Sequence, residues 1–206
     1  MKRVMVYVDG FNLYFGLRSK GWRKHYWLDL AALSRSLLKP DQMLVGVQYF
    51  TTRIRANGRN TADMQRQNTY LEALETLPEL SLYYGHYLEK KKKCRQCGAQ
   101  WTDYEEKMTD VNIAVELLAD AFADRFDTAM LISGDSDLTT PIRKLREQFP
   151  EKRVLVVFPP DRHSFELKSS AHACFTVGEA KIRQSQLPEM VQRADGFQLQ
   201  RPAYWR

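Results

Sequence analysis

The sequence is short of cysteine. Its 206 residues hold three, Cys94, Cys97 and Cys174. An odd number of thiols does not close a disulfide framework, and reduced thiols are expected in a chain without a secretion signal. Long apolar runs are also missing. The longest, Val154–Phe158, suits a buried strand and falls far below the roughly 20 residues of a membrane helix. No membrane partner is expected. The opening MKRVMVYVDG has neither an apolar h-region nor a small-residue cleavage site, so a soluble, cytoplasmic protein is the expectation. No internal repeat or low-complexity tract occurs. No Walker A motif is present, no G-x-G-x-x-G follows the first strand-like run, and no G-x-S-x-G elbow occurs. Nucleotide-dependent redox chemistry, ATP hydrolysis and serine-nucleophile hydrolysis therefore have no support.

What is present is ordinary for a globular domain: 44% apolar and 27% charged residues, enough for a buried core without staples. Lys and Arg total 31 against 25 Asp and Glu, a formal charge of +6. Such a surface favours polyanions, of which nucleic acid is the commonest.

Strand-like and helix-like patterns alternate. Arg3–Val8, Leu44–Thr51, Leu80–Leu88, Asp127–Ser133, Arg153–Phe158 and Ala173–Val177 read as strands. Asp29–Leu38, Asn60–Leu77, Thr109–Phe122, Leu138–Phe149 and a short His163–Lys168 read as helices. Alternation of this kind predicts an α/β fold, a parallel sheet with helices on its faces. Residues 1–188 would form one domain. Residues 89–107, charged and aperiodic, would be an insertion, a loop or small hairpin, and 189–206 a C-terminal tail.

Two predicted buried strands end in acids, one at Asp9 and one at Asp135 and Asp137. In open α/β sheets the ligand site lies beyond the carboxyl ends of strands, where these acids fall. A third position, Asp110, lies on the apolar face of Thr109–Phe122 with Ile113, Leu117 and Ala121; Asn112, Glu116 and Asp120 fall on the other, solvated side. Thr109 is a candidate N-cap of this helix. Turn and cap chemistry explains each acid singly. Four of them converging without Lys or Arg would repel, unless a hard divalent cation, Mg²⁺ or Mn²⁺, sits among them. On a basic protein that implies phosphodiester chemistry.

The blocks VYVDGFNLY, EEKMTDVNIAVELL and LISGDSDLTTPIRKLRE resemble the signature blocks of the NYN-domain family. That family includes the LabA-like proteins and belongs to the PIN-like nuclease superfamily. FPPDRHSFELK resembles a further block of some bacterial members. The resemblance implies a Rossmann-like three-layer α/β/α sandwich and a metal-dependent endoribonuclease site. It places the family's acids on Asp9, Asp110, Asp135 and Asp137 and its asparagine on Asn12. In this reading the four acids hold the metal, and Asn12 orients water or a phosphate oxygen. The alternative is a non-catalytic RNA-binding or regulatory module that keeps the fold and the acids.

Two further features stand apart. Cys94 and Cys97 have the spacing of half a zinc site, with His86, Cys174 or a second protomer as candidates for the missing ligands. The plainer alternative is a pair of reduced thiols in a loop. Lys91, Lys92, Lys93 and Arg95, near Trp101 and Tyr104, combine cations with rings as single-stranded RNA binding requires. Lys107 is a further candidate phosphate contact, and Arg53, Arg55 and Arg59 form another basic cluster. A solvated charged face explains each run equally well. A homo-oligomer is compatible with all of this.

Overall fold

Short β-branched runs in this chain pair with one another in parallel, because a helical stretch separates most of them. The computed structural model describes residues 1–54 and 60–206. Its strands are β1 (Lys2–Asp9), β2 (Gln42–Thr51), β3 (Leu80–Tyr84), β4 (His86–Lys93), β5 (Gln100–Lys107), β6 (Thr128–Ile132), β7 (Arg153–Phe158), β8 (Ala173–Thr176), β9 (Met190–Gln192) and β10 (Gln198–Gln200). Its helices are α1 (Gly10–Ser19), α2 (Leu30–Ser36), α3 (Thr61–Leu74), α4 (Thr109–Phe122), α5 (Thr139–Gln148), α6 (Phe165–Ser170) and α7 (Glu179–Gln184). Arg55 and Arg59 lie outside the described residues.

The main sheet has six strands in the order β3-β2-β1-β6-β7-β8. All five neighbouring pairs are parallel. Strand order reverses between β1 and β6, so helices cover both faces and a crevice opens beyond the carboxyl ends of those two strands. Alternation along β1 feeds both layers. Val4, Val6 and Val8 pack with Leu13 and Leu17 of α1, Leu30 and Leu33 of α2, Leu71 and Leu74 of α3, and Ile182 of α7. Met5 and Tyr7 pack with Ile113 and Leu117 of α4, Ile142 and Leu145 of α5, and Leu167 of α6. Burial on both faces is why β1 reads as a continuous apolar run. Asp9 continues the Met5–Tyr7 row and therefore belongs to the α4 side.

The fold departs from the sequence reading in four places. Helix α1 has no sequence signature, because Gly10 and Gly16 dilute its periodicity. Its start is set by the Asp9 side chain, which accepts from the Asn12 N–H at 3.0 Å. The run Leu80–Leu88 breaks at Gly85, whose N–H goes to the Thr51 carbonyl at 2.9 Å. β3 stays in the sheet, and β4 leaves it to pair antiparallel with β5. The insertion is thus a hairpin that starts at His86. The segment 189–206 is not a loose tail. β9 and β10 pair antiparallel, and Trp205, buried, meets Tyr26, Trp27 and Tyr70.

The fourth correction concerns Asp120, expected on a solvated face. It is wholly buried. Its Oδ2 accepts from the Tyr7 hydroxyl at 2.8 Å and from Gln48 Nε2 at 2.7 Å, and its Oδ1 from Arg125 Nη1 at 2.9 Å. Tyr7 and Gln48 stand opposite each other in the β1–β2 register. Helical periodicity sees only the apolar stripe of α4; it does not see that two polar groups on the sheet wait beside it. Burial, with the charge of Asp120 beside it, pushes the Tyr7 phenol far above its usual range.

Candidate active site

The crevice between β1 and β6 gathers the acids. Asp9 ends β1 and is 1% exposed. Its Oδ1 accepts from the Asn12 N–H at 3.0 Å, and its Oδ2 accepts from Asn12 Nδ2 and from Ser133 Oγ, both at 2.7 Å. Asn12 Oδ1 accepts in turn from the Gly134 N–H at 3.2 Å. Ser133 Oγ accepts from the Asp135 N–H at 3.0 Å. Asp135 Oδ1 accepts from the Asp137 N–H at 3.0 Å, capping a single 3-10 turn. One chain of hydrogen bonds thus ties the end of β1 to the loop after β6. Asn12 acts inside that chain as a clamp between the two strand ends, and not as a group held out toward water.

Gly134 has a steric reason. A Cβ there would lie 2.9 Å from the carbonyl carbon and from Cβ of Arg162. The loop after β7 therefore closes directly over the acidic turn. It brings in Arg162, which the sequence reading did not select. The Arg162 guanidinium stands 5.7 Å from the Phe15 ring, and its Nε is buried without a hydrogen-bond partner among the described residues. The FPPDRHSFELK block is its only sequence signal.

Asp110 opens α4. The preceding residue, Met108, takes a left-handed backbone at φ 82°, and no side chain of that cap residue bonds the helix. Thr109, the expected cap, is itself held: Glu106 Oε1 accepts from the Thr109 N–H at 3.1 Å and from its hydroxyl. Glu106 is a fifth acid at the site, hidden from sequence reasoning because it belongs to the hairpin. Burial, then Asp9, Asp135, Glu106 and Asp137 in that order, push the Asp110 carboxyl up from 3.8 to about 7. Burial is also the main reason that the Asp9 carboxyl is raised, against the three hydrogen bonds that lower it.

Among the described residues no Lys or Arg forms a salt bridge to Asp9, Asp110, Asp135 or Asp137. Asp110 thus feels the charge of the neighbouring acids with no ion pair from a described residue to offset it. Among the same residues no three His, Cys, Asp or Glu side chains converge as a preformed ligand set.

The outlying candidates sit differently from expectation. Lys107, expected as a phosphate contact, ends β5 and pairs with Glu105 at 2.5 Å; Lys90 pairs with the same carboxylate. Strand alternation puts Lys91 and Lys93 on one face of the hairpin and Lys90 and Lys92 on the other. Lys91 and Lys93 share the face of Glu106, while Lys92 stands opposite Trp101. Arg95, Cys94 and Cys97 are at the hairpin tip. His86 pairs with Lys107 at its base. Eight residues of strand at about 3.3 Å each separate it from the thiols by roughly 25 Å. Cys174 sits on β8, at the far edge of the sheet from β3. Neither can complete a zinc site with Cys94 and Cys97.

Comparison with known proteins agrees with this architecture. The NYN domain family model matches residues 3–178. The chain belongs to the NYN-domain family. Its fold is of the PIN-like nuclease type. A solved structure from Vibrio parahaemolyticus RIMD 2210633, a protein of unknown function, aligns with a TM-score of 0.56 and 18% identity. That alignment covers 86% of this chain and 94% of the other, and it speaks for the fold alone. A curated relative, the 6-hydroxy-3-succinoylpyridine 3-monooxygenase HspA of Pseudomonas putida, is 27% identical over 191 residues. The match covers 76% of this chain and 59% of that relative, so this NYN chain spans about three-fifths of its length. Among the described residues no helix is long and apolar enough to cross a membrane.

Proposed function

We propose that this protein is a divalent-metal-dependent ribonuclease that cleaves RNA internally at the Asp9–Asp110–Asp135–Asp137 crevice. The observation that carries the reading is the uncompensated charge: Asp110 is held up to about 7 by burial and by the four carboxylates around it. The donor set suits a hard cation. It is all oxygen. An ionised carboxylate offers about four lone-pair directions, and three hydrogen bonds reach Asp9, leaving one on Oδ1. Asp9, Asp110, Asp135 and Asp137 would hold Mg²⁺ or Mn²⁺, which when bound activates water and stabilises charge on the phosphate. Ser133 and Asn12 keep Asp9 aimed and join the two strand ends. Arg162 would neutralise a phosphate beside the acidic turn, and Lys91 and Lys93 would meet phosphates farther along the strand.

Incubating a labelled single-stranded RNA pool with Mg²⁺ or Mn²⁺ tests the reading, with Asp135→Asn as control. Products that depend on both metal and Asp135 support it; RNA that is bound but never cut supports a non-catalytic RNA-binding module. A second reading, oxygenation of a small heterocycle, takes its support from the named activity of the Pseudomonas relative. The absence of a dinucleotide fingerprint after β1 weighs against it, and RNA cleavage by the purified chain would set it aside.

A further inference from the structure

A cavity of about 150 Å³ lies beside the acids, on the opposite side of the β1 end. Phe11 and Tyr14 of α1, Tyr26, Tyr70 of α3, and Tyr204 and Trp205 of the C-terminal turn form its walls. Tyr49 and Thr51 of β2 line it as well. Gly10 and Phe11, which line the cavity, directly follow Asp9 in the chain. Gly10 is needed here. A Cβ would lie 2.6 Å from the Phe50 carbonyl oxygen and 2.8 Å from the Tyr49 hydroxyl. The charge of Asp9 reaches Tyr49, adding to the burial that raises its phenol to about 12.

The walls are flat rings, several of them packed on one another. Tyr14 and Tyr26 have centroids 5.1 Å apart, and Tyr26 and Trp205 5.8 Å. The rim carries both signs: Arg66 and Asp63 line it and pair with each other at 2.6 Å. The Tyr204 ring lies between the guanidinium groups of Arg23, at 4.1 Å, and Arg66, at 4.5 Å. Tyr204 and Tyr14 are 53% and 41% exposed, so they can change partners without unpacking the core. Flat apolar walls, inner hydroxyls that both donate and accept, and the Arg23 guanidinium over Tyr204 at the mouth suit a planar base carried on a phosphate backbone. An apolar cavity of about 150 Å³ admits one benzene-sized ring.

We propose that this cavity takes one unstacked pyrimidine base of the RNA, next to the phosphate presented to the acids. The proposal deepens the ribonuclease reading by assigning that site a base preference. Free heterocycles share the ring chemistry, so the test separates a base on a strand from a base in solution.

Binding is measured by fluorescence anisotropy in EDTA, where no cleavage is required, on strands of equal length: a U tract, an A tract and an abasic ribose-phosphate. The wild type should bind the U tract most tightly and the abasic strand least. Tyr204→Ala and Tyr14→Ala, shown folded by thermal melting, should each weaken U-tract binding about tenfold, the loss of roughly 1.4 kcal/mol expected for one stacked base. Both should leave abasic binding unchanged. Equal wild-type affinity for U-tract and abasic strands would overturn the proposal. So would tighter binding of the A tract, variants that weaken all three strands alike, or free uridine that binds as tightly as the tract. Failure of the ribonuclease reading is read separately, as the absence of metal-dependent products from wild-type protein.

Discussion

Replacing Asp110 by Asn removes a charge that the folded protein holds against its own repulsion. The carboxyl is raised from 3.8 to about 7. Between those values the folded state binds more protons than the unfolded one, so stability falls as pH rises. The contribution of the protonated group is full below about pH 3.8, declines as pH rises, and is gone above about 7. A shift of three units corresponds to about 4 kcal/mol if all of it is expressed. Asp110 is half-buried, and solvent screening of the open side reduces this to about 1–2 kcal/mol. The opposing loss is the attraction between a carboxylate and the start of α4, about 0.3–1 kcal/mol. Repulsion wins, so Asp110→Asn should be more stable than wild type at pH 8 in EDTA and equal to it near pH 4. For a chain of this size each kcal/mol moves the melting temperature by roughly 2–4 °C. Melting curves from pH 4 to 8 measure the difference, in which contributions from other carboxylates cancel. Mn²⁺ should raise the wild-type melting temperature at pH 8 and raise that of the variant less, since a ligand stabilises only the state that binds it. A variant less stable than wild type at every pH would show that Asp110 is a structural cap and refute the argument.

Four further outcomes are expected. Asp135→Asn should abolish metal-dependent RNA cleavage with the fold intact, whereas Asp9→Asn should abolish cleavage and also cost about 1–3 kcal/mol, because its new NH₂ faces donors that need an acceptor; denaturant titration beside the cleavage assay separates the two effects. Asp120→Ala should leave Tyr7 and Gln48 without an acceptor and cost about 3 kcal/mol, while cleavage per folded molecule survives; loss of activity without loss of stability would contradict the structural role. Changing Lys91 and Lys93 to Ala should flatten the salt dependence of RNA binding by about 0.7 log unit for each phosphate left unneutralised, and an unchanged slope would mean that these lysines are only solvated. If the hairpin tips bind zinc, two copies must share one ion through Cys94 and Cys97, so metal analysis should give about one zinc per two chains, four thiolates completing the site, and sedimentation should show a dimer; zinc-free monomer with reactive thiols would end that idea.

The parallel sheet and the identity of the strand-end acids follow from the amino-acid order alone. Apolar runs buried on both faces and alternating with amphipathic segments leave few other arrangements, and Asp9, Asp135 and Asp137 stand where such runs stop. Asp110 was legible because it continues the Ile113–Leu117–Ala121 stripe. Which polar groups meet was settled in three dimensions. Glu106 reaches α4 from a hairpin, Arg162 reaches Gly134 from the loop after β7, and Asp120 finds Tyr7 and Gln48 across the core. Helix α1 exists because Asp9 caps it and Leu13 and Leu17 pack on the sheet, against the weak propensity of a segment with two glycines. The aromatic cavity needs α1, α3 and the C-terminal turn side by side. These contacts join residues far apart in the chain, and periodicity reports only which face of an element is buried, not what lies against it.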